Sequence, residues 1–341
     1  MKAISFDSFG PPSVLRTIGC SDPVPGPGEV LIRIEAAGVC HHDVMHRAGR
    51  LPGAKPAVIL GHEAAGRIAA IGQGVSLHRV GDHVIVYQRA FCGECRHCLR
   101  GRMDLCSMLG KPAVDTVGSY AELVKVPATQ AIGVPASIPF EQVALACCPI
   151  GTSVRALRAV AGMSPGDTVL ITGASGGLGI HQLQLVRAFG GRSIAVTGDA
   201  GKTDDLRRAG ANLVVVALDG AFSKAAWEAN GRRGVDIAID NVGATLPEAL
   251  RTLAPSGRAV VLGNVGVDAV PLLPGLLIGR RLRIEGSGMP THEDIRQSIA
   301  LIADGLVRPV IDRILAFPAA AEAHALIESR MVRGRIVLRG W

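Results

Sequence analysis

The second half of the chain alternates short apolar segments with stretches that have helical patterns. The segments TVLITG, SIAVTG, NLVVVAL, VDIAIDNVG, GRAVVLGNV and RLRIEGSG are rich in Val, Ile and Leu, and helical patterns begin near Gly177, Lys202 and Thr245. Strands that are apolar on both faces and separated by helices are typical of a parallel sheet covered by helices on both sides. The sequence therefore predicts an α/β chain with a doubly wound parallel sheet in residues 152–288.

The first part of the chain is rich in short strand patterns interrupted by Gly and Pro. The predicted strands are Glu29–Ala36, Ala64–Ile71, Asp82–Tyr87 and Tyr120–Val126. A chain of 341 residues with 48% hydrophobic composition is too long for one small core, so two domains are expected. We predict a β domain over 1–151 and the parallel sheet over 152–288. The segment 289–341, which ends in GRIVLRG, is expected to return to the first domain.

Charge and composition exclude several classes of function. The formal net charge is +7, but there is no Lys/Arg run typical of a nucleic-acid arm. A mild positive field favours anionic ligands such as a dinucleotide phosphate. No apolar run reaches the length expected of a membrane span, and the start, MKAISFDSFG, has a strand pattern rather than that of a signal peptide. With 8 cysteines and no leader, the sequence predicts a cytoplasmic protein without membrane or nucleic-acid partners.

Four cysteines lie close together in the segment FCGECRHCLRGRMDLC. They are Cys92, Cys95, Cys98 and Cys106, with the spacing C-x2-C-x2-C-x7-C. Four thiolates in one short segment can form a tetrahedral shell around zinc. Buried unreactive thiols, disulfides in an oxidising compartment, and an iron–sulfur cluster are the alternatives. The spacing predicts a structural zinc in a lobe over 91–107.

The segment TVLITGASGGLGIHQLQLVRAFG has the pattern strand, glycine loop, helix. Gly176 lets the backbone approach a pyrophosphate, Gly179 lets the helix pack on the strand, and Ala174 occupies the place of the first glycine of G-x-G-x-x-G. With Gly177 and Leu178 between them, these residues are predicted to bind a dinucleotide at the helix N-terminus. A purely structural turn is the alternative.

The end of the second parallel strand bears on the choice of cofactor. An acidic residue there would bind the ribose hydroxyls of NAD, but this chain has Thr197 followed by Gly198. A neutral residue leaves room for a 2′-phosphate, which Lys202 can pair with, whereas Asp199 argues for NAD. The sequence favours NADP(H) and leaves NAD(H) possible.

A second group of candidate metal ligands is spread along the chain. Cys40 follows a predicted strand, His62 lies in LGHEAAG, and Cys148 lies in ALACCPIGTSVRAL. Two thiolates and one imidazole leave the fourth position of a tetrahedral zinc open, as in catalytic sites. Glu63 is a candidate transient ligand, and Asp43 can accept the other ring N–H of His62. Taken singly, such cysteines and histidines are more often buried structural residues.

These motifs occur in the order found in zinc-dependent medium-chain dehydrogenases/reductases, the alcohol dehydrogenase superfamily, which the chain resembles nearly end to end. The resemblance implies a GroES-like β domain, a Rossmann domain and two zinc ions, one catalytic and one structural. It implies that Cys40, His62 and Cys148, rather than Cys147, are the catalytic ligands. It also implies that Thr152 lies near the nicotinamide, that Arg335 reaches the pyrophosphate, and that chains join through RLRIEGSG into homodimers or homotetramers.

The chain departs from this family at the proton relay. Alcohol dehydrogenases usually carry Ser or Thr two positions after the first cysteine ligand, where this chain has His42. A histidine often follows three positions later, but here that residue is Met45, with His46 next. An imidazole can carry protons near neutral pH, so His42 is the candidate relay. The alternative is that His41, His42 and His46 only shape the loop.

The sequence therefore predicts a zinc-dependent oxidoreductase that interconverts an alcohol with an aldehyde or ketone. The altered relay leaves a second activity open, the NADPH-dependent reduction of the activated C=C bond of an enone or enoyl thioester, as in acryloyl-CoA reductases. A regulatory cofactor-binding protein without catalysis is the third possibility. The retained Cys40, His62 and Cys148 argue against it, because such proteins commonly lose these ligands.

Overall fold

The computed structural model describes residues 1–106 and 118–341, which form two compact units. Unit 1 contains Met1–Cys148, Thr291–Ala303 and Ile311–Trp341, and unit 2 contains Pro149–Pro290 and Asp304–Val310. The units divide at Cys148, and the segment 304–310 lies with unit 2, so they differ at these points from the predicted ranges 1–151, 152–288 and 289–341. Those ranges stay a prediction of domain organisation, and residue 107 of the predicted lobe lies outside the described residues.

The secondary structure is defined by the bounds that follow. The strands are β1 (Lys2–Ser5), β2 (Arg16–Gly19), β3 (Glu29–Val39), β4 (Glu63–Ile71), β5 (His83–Val86), β6 (Leu123–Pro127), β7 (Ala131–Gly133), β8 (Thr168–Ile171), β9 (Arg192–Thr197), β10 (Leu213–Val216), β11 (Val235–Asp240), β12 (Leu253–Val261), β13 (Arg283–Gly286), β14 (Ile311–Leu315) and β15 (Arg335–Leu338). The α-helices are α1 (His41–Arg47), α2 (Phe140–Val143), α3 (Thr152–Arg155), α4 (Gly179–Ala188), α5 (Thr203–Arg208), α6 (Ser223–Ala229), α7 (Leu246–Thr252), α8 (Pro274–Arg280), α9 (His292–Ala303) and α10 (Ala320–Glu328).

Unit 1 is built on a sheet with the strand order β14-β15-β3-β4-β5-β7, and β6 also pairs with β3. β3 alternates buried and partly exposed residues before its last four positions, which are all buried. Its apolar side chains Val30, Ile32 and Ile34 enter the core of the unit, as the period of two along a strand requires. β3 runs three residues beyond the predicted Ala36, so its buried end leads directly into Cys40.

The register of the sheet in unit 1 brings distant residues to one edge. β3 is antiparallel to β4, with Gly38 opposite Glu63, and antiparallel to β15, with Val39 opposite Ile336. The end of one antiparallel strand lies beside the start of its neighbour. Residues that follow β3 therefore lie beside those that open β4 and β15.

Unit 2 contains a sheet of six parallel strands in the order β10-β9-β8-β11-β12-β13. This order reverses direction between β8 and β11, as in doubly wound sheets, where ligands bind at the carboxyl ends of the strands near the reversal. The prediction of a doubly wound parallel sheet is confirmed. The first strand ends at Ile171, because Thr172 and Gly173 already form the turn that leads to α4.

One continuous helical run corrects an expectation drawn from the sequence. The run Phe140–Val160 is long and apolar enough, by length and composition, to cross a membrane, although no such run was predicted. However, 83% of its apolar window is buried inside the protein. Burial of that extent is what a core helix requires, because its apolar faces pack against other elements.

Candidate functional site

Four potential metal ligands converge at one edge of the sheet in unit 1. The donor atoms of Cys40, His62, Glu63 and Cys148 all lie within 4.8 Å of one another. Cys40 follows β3, while His62 and Glu63 stand at the start of β4, so the pairing of the two strands brings them together. We call this group the Cys40 cluster. Two thiols, an imidazole and a carboxylate are the donors that zinc prefers, so the residues present fit that ion.

The two thiols of the Cys40 cluster differ in their affinity for a proton. The Cys148 thiol donates to Cys40 and, together with the Arg335 guanidinium, lowers the pKa of Cys40 well below its usual value, although burial opposes this. The same contact raises the pKa of Cys148 well above its usual value. The thiolate is the form that binds a metal, so the lowered pKa favours Cys40 as a metal ligand.

His62 is oriented by a buried carboxylate. Its Nδ1 lies 3.0 Å from Oδ1 of Asp43. The other carboxylate oxygen accepts the Cys40 N–H at 3.0 Å and the Tyr120 hydroxyl at 3.1 Å. Although burial favours the neutral ring, the Asp43 charge raises the pKa of His62 well above its usual value. With Nδ1 committed to Asp43, Nε2 is the ring nitrogen left for a metal.

Arg335 lies inside the Cys40 cluster, as the first residue of β15. Its Nη2 is 2.7 Å from Oε1 of Glu63, and it donates to Cys40 Sγ at 3.5 Å and to Cys148 Sγ at 3.8 Å. Burial raises the pKa of Glu63 to about 7, although the Arg335 charge opposes the shift. Arg335 thus balances the buried negative charge of this site. Its predicted contact with the cofactor pyrophosphate stays a prediction.

Of the histidines near Cys40, two occupy different surroundings. The ring of His42 meets the ring of His62 edge-on, with centroids 5.6 Å apart. His46 is buried, and its Nε2 lies 3.1 Å from the backbone oxygen of Lys55. His42 therefore contacts a member of the Cys40 cluster, whereas His46 is bonded to a neighbouring loop.

The four cysteines of the predicted lobe also come together. The sulfurs of Cys92, Cys95, Cys98 and Cys106 lie within 4.8 Å of one another. The sulfur of Cys92 is 3.5 Å from that of Cys106 and 3.9 Å from that of Cys98, well beyond the S–S bond length of about 2.05 Å. Four unbridged thiols at this separation are the donor set of a structural zinc site.

The glycine loop between β8 and α4 has the close contacts that its motif requires. A Cβ on Gly179 would lie 2.5 Å from the Ala174 Cα and from the Gly173 oxygen, so only glycine fits there. The tight turn itself falls on Gly173, whose φ is 57°. Gly173 was not singled out from the sequence, although its place directly after an apolar strand is a signal for such a turn.

The start of α4 offers donors for an anion. No backbone hydrogen bond joins the N–H groups of Gly177, Leu178 and Gly179 to any other residue in 1–106 or 118–341. N–H groups at a helix N-terminus, together with the helix dipole, favour a bound phosphate. The predicted residues Gly176, Gly177, Leu178 and Gly179 thus lie where a pyrophosphate can be bound in unit 2.

The residues predicted to select the cofactor lie around the end of β9. Thr197 is buried, and Gly198 is exposed. The Asp199 carboxylate accepts the Gly201 N–H at 2.8 Å and so caps the turn Ala200–Lys202. Lys202 is only 6% exposed. Thr152 opens α3, also in unit 2.

A buried aspartate at the end of β11 was not identified from the sequence. Asp240 is fully buried and accepts hydrogen bonds from the Thr172 hydroxyl, the Thr245 hydroxyl, and the N–H groups of Val242 and Gly243. It thereby joins the loop after β11 to the start of the glycine loop. An acidic residue directly after an apolar run, as Asp240 follows Ile237, Ala238 and Ile239, is a signal for such a structural role.

Two models of known protein families match parts of this chain. Residues 26–136 match the alcohol dehydrogenase GroES-like domain, and residues 209–338 match the zinc-binding dehydrogenase domain.

Similar proteins cover the chain from end to end. An acryloyl-coenzyme A reductase of Sulfurisphaera tokodaii is 33% identical over 341 residues, 99% of this chain and 100% of the relative. An NAD-dependent alcohol dehydrogenase of Saccharolobus solfataricus is 33% identical over 349 residues, 99% of both chains. The crystal structure of AibC is 39% identical, with a TM-score of 0.91 over 100% of this chain and 96% of the other.

Proposed function

Because the chain belongs to the zinc-dependent medium-chain dehydrogenase/reductase family of the alcohol dehydrogenase superfamily, we propose that it transfers hydride between a nicotinamide cofactor and a small alcohol, aldehyde or ketone. The convergence of the Cys40 cluster, whose donor atoms lie within 4.8 Å of one another, carries the proposal. Cys40, His62 and Cys148 are the proposed zinc ligands, and Glu63 is a proposed alternative ligand.

The chain's own residues have separate roles in this proposal. Cys40, His62 and Cys148 would hold a zinc ion that supplies a Lewis acid for the substrate oxygen. Asp43 keeps the proton on Nδ1 of His62, which directs Nε2 toward the cluster. Arg335 pairs with Glu63 and offsets the negative charge of the buried ligands. His42, beside His62, is the proposed carrier of the substrate proton, and we expect His42→Ala to lower kcat by about a hundredfold.

A second candidate activity is the reduction of an activated C=C bond. It is favoured by His42 in place of the usual Ser or Thr, and by the acryloyl-coenzyme A reductase that is 33% identical over the whole chain. In this reaction hydride is added to the β-carbon of an enone or enoyl thioester. Oxidation of the cofactor alone does not distinguish the two activities.

The experiment that tests the proposal supplies NADPH or NADH with a saturated aldehyde, with its α,β-unsaturated analogue, or with an enoyl thioester. NMR of the products shows whether the C=O or the C=C bond was reduced. An alcohol from the saturated aldehyde supports the first activity. A saturated aldehyde or thioester as the only product supports the second, and no turnover of any substrate contradicts both.

We also propose where the cofactor lies. The proposed contacts are Gly176, Gly177, Leu178 and Gly179 with the pyrophosphate, Thr152 with the nicotinamide, Thr197, Gly198 and Lys202 with the adenosine end, and Arg335 with the pyrophosphate. The preference for NADP(H) over NAD(H) is supported by the neutral Thr197 and by Asp199, whose carboxylate is engaged in capping its own turn. A KM for NADH far below that for NADPH would contradict this preference.

The cysteine lobe is the proposed site of a second, structural zinc. We expect Cys92→Ser to release one zinc per chain and to lower the midpoint of thermal unfolding, because a zinc ion bound there would cross-link four positions of this short segment. The Cys40 cluster should keep its metal in this variant. Zinc content measured by mass spectrometry, unchanged from the wild type, would contradict the assignment.

The assembly and the location of the protein are proposals of the same kind. We propose a cytoplasmic homodimer or homotetramer that acts on small molecules, without nucleic-acid or membrane partners. β13 pairs with β12 alone among the described strands, and Ile278, in the preceding α8, is 77% exposed. An open strand edge and an exposed apolar side chain each favour pairing between chains. The mass of a monomer, measured by light scattering at micromolar concentration, would contradict the proposed dimer or tetramer.

A further inference from the structure

His181 is a buried histidine in the first turn of α4, next to the glycine loop. Its Nδ1 lies 2.6 Å from the carbonyl oxygen of Gly177, and its Nε2 lies 2.9 Å from the backbone nitrogen of Val310. A backbone N–H can only donate, so Nε2 is the acceptor and carries no proton. The neutral ring therefore carries its proton on Nδ1 and donates it to Gly177.

The His181 side chain replaces a backbone hydrogen bond at the start of α4. The Ile180 N–H bonds to Gly176, and the N–H groups of His181 and Gln182 both bond to Leu178. No backbone N–H within 1–106 or 118–341 donates a hydrogen bond to the Gly177 carbonyl. The imidazole of His181 is therefore the donor that the structure places on this carbonyl.

Holding the Gly177 carbonyl also fixes the direction of the next N–H group. A peptide unit is planar, and in the trans form its C=O and N–H groups point in opposite directions. The peptide between Gly177 and Leu178 is trans. The Leu178 N–H therefore points away from His181, and at the positive end of the helix it has no backbone acceptor in the described ranges 1–106 and 118–341.

We propose that His181 is a positioning residue that aims the Leu178 N–H at the pyrophosphate of a bound dinucleotide. This inference rests on the proposed function, because it assumes that the glycine loop binds the nicotinamide cofactor. In this inference the buried His181 side chain orients one anion-binding donor, the Leu178 N–H. His181 itself does not contact the cofactor.

Gln184 provides a matched control in the same helix. Its side-chain nitrogen donates to the Arg308 carbonyl at 2.9 Å, and its side-chain oxygen accepts the Arg308 N–H at 2.8 Å. Gln184 and His181 therefore both hold the segment that contains Arg308 and Val310, but only His181 contacts the glycine loop. A loss of affinity caused by loosening that segment would be seen in variants of either residue.

Two substitutions separate the contacts of the imidazole. In His181→Asn the side-chain amide nitrogen takes the place of Nδ1 and can still donate to Gly177. In His181→Gln the side-chain oxygen takes the place of Nε2 and can accept from Val310, while the donor at Gly177 is lost. We expect His181→Gln to raise the Kd of the dinucleotide about tenfold, and His181→Asn and Gln184→Ala to stay within about threefold of the wild type.

The measurement is the Kd of NADPH, NADH, ADP-ribose and adenosine, determined by calorimetry on the full chain, with circular dichroism as the check on folding. Only the ligands that contain a pyrophosphate should lose affinity in His181→Gln. Equal losses for adenosine, an unchanged Kd in His181→Gln, or an equal loss in His181→Asn would overturn the inference. If the wild type and all variants bind the dinucleotide with equal Kd, only the role of His181 is contradicted. If the wild type binds no dinucleotide, the proposed function is contradicted as well.

Discussion

At the scale of single residues, the charge of Asp43 determines how His62 can act. Asp43 is fully buried among groups that favour its ionised form: the His62 ring, the Cys40 N–H and the Tyr120 hydroxyl. Burial opposes ionisation, yet the His62 charge and the hydrogen bonds from His62 and the Cys40 N–H lower the pKa of Asp43 below its usual value. A buried carboxylate so bound holds an imidazole in one orientation, which a metal ligand needs.

The first prediction compares two adjacent cysteines. Cys148 belongs to the Cys40 cluster, whereas the neighbouring Cys147 lies outside it and directs its thiol to Oε1 of Gln88. Cys148→Ala should lose one zinc per chain and all measurable turnover, while Cys147→Ala should keep both. Zinc content and turnover of the two purified proteins check this. Equal zinc loss in both variants would argue that Cys148 has no special role.

The second prediction concerns stability against pH. Burial lowers the pKa of His324 to about 4, from an unfolded value of about 6.5. The unfolded chain therefore takes up a proton first as the pH falls, so the free energy of unfolding decreases between about pH 6.5 and 4, by up to about 3 kcal/mol. His324→Phe should remove this part of the pH dependence. The measurement is denaturant unfolding of both proteins across this range, and parallel curves would contradict the assignment.

At the scale of elements, the ends of two strands bring Cys40, His62 and Glu63 of the Cys40 cluster together, and a third strand places Arg335 beside them. β3 delivers Cys40, β4 opens with Glu63, and β15 opens with Arg335, because both neighbours run antiparallel to β3. Glycine is required at Gly38, opposite Glu63, because a Cβ there would overlap the Glu63 carboxylate. The strands themselves could be predicted from their apolar patterns, but the pairing of β15 with β3 could not, since the partners are about 300 residues apart.

The third prediction tests the packing of α4 on the glycine loop. A Cβ at Gly179 would lie 2.5 Å from the Ala174 Cα, whereas a Cβ at Gly279, in α8, meets no atom within 4 Å. Gly179→Ala should lower the free energy of unfolding by about 1–3 kcal/mol and weaken dinucleotide binding. Gly279→Ala should be neutral or stabilising by up to about 1 kcal/mol. Equal stability and equal cofactor affinity in the two variants would contradict the role of Gly179.

At the scale of the whole molecule, the sequence indicates the candidate ligands and the candidate cofactor loop better than the residues that position them. The four-cysteine lobe and the glycine loop were expected from motifs with a fixed spacing, whereas Cys40, His62 and Cys148 are spread along the chain and were expected as catalytic ligands only through the resemblance to a family. The contact of Tyr120 with Asp43, at a separation of 77 residues, and the placement of Arg335 beside Glu63, at 272 residues, depend on tertiary pairing. Local patterns carry no information about such contacts.

The proposed hydride-transfer chemistry depends on a metal ion bound by Cys40, His62 and Cys148. Anomalous scattering measured at the zinc absorption edge, on crystals of the zinc-loaded protein, tests this most directly. We predict two peaks in each chain, one between the donor atoms of these three residues and one among the four cysteines of the lobe. A peak in the lobe without a peak at Cys40, His62 and Cys148 would contradict the account, since the lobe shows that zinc was available.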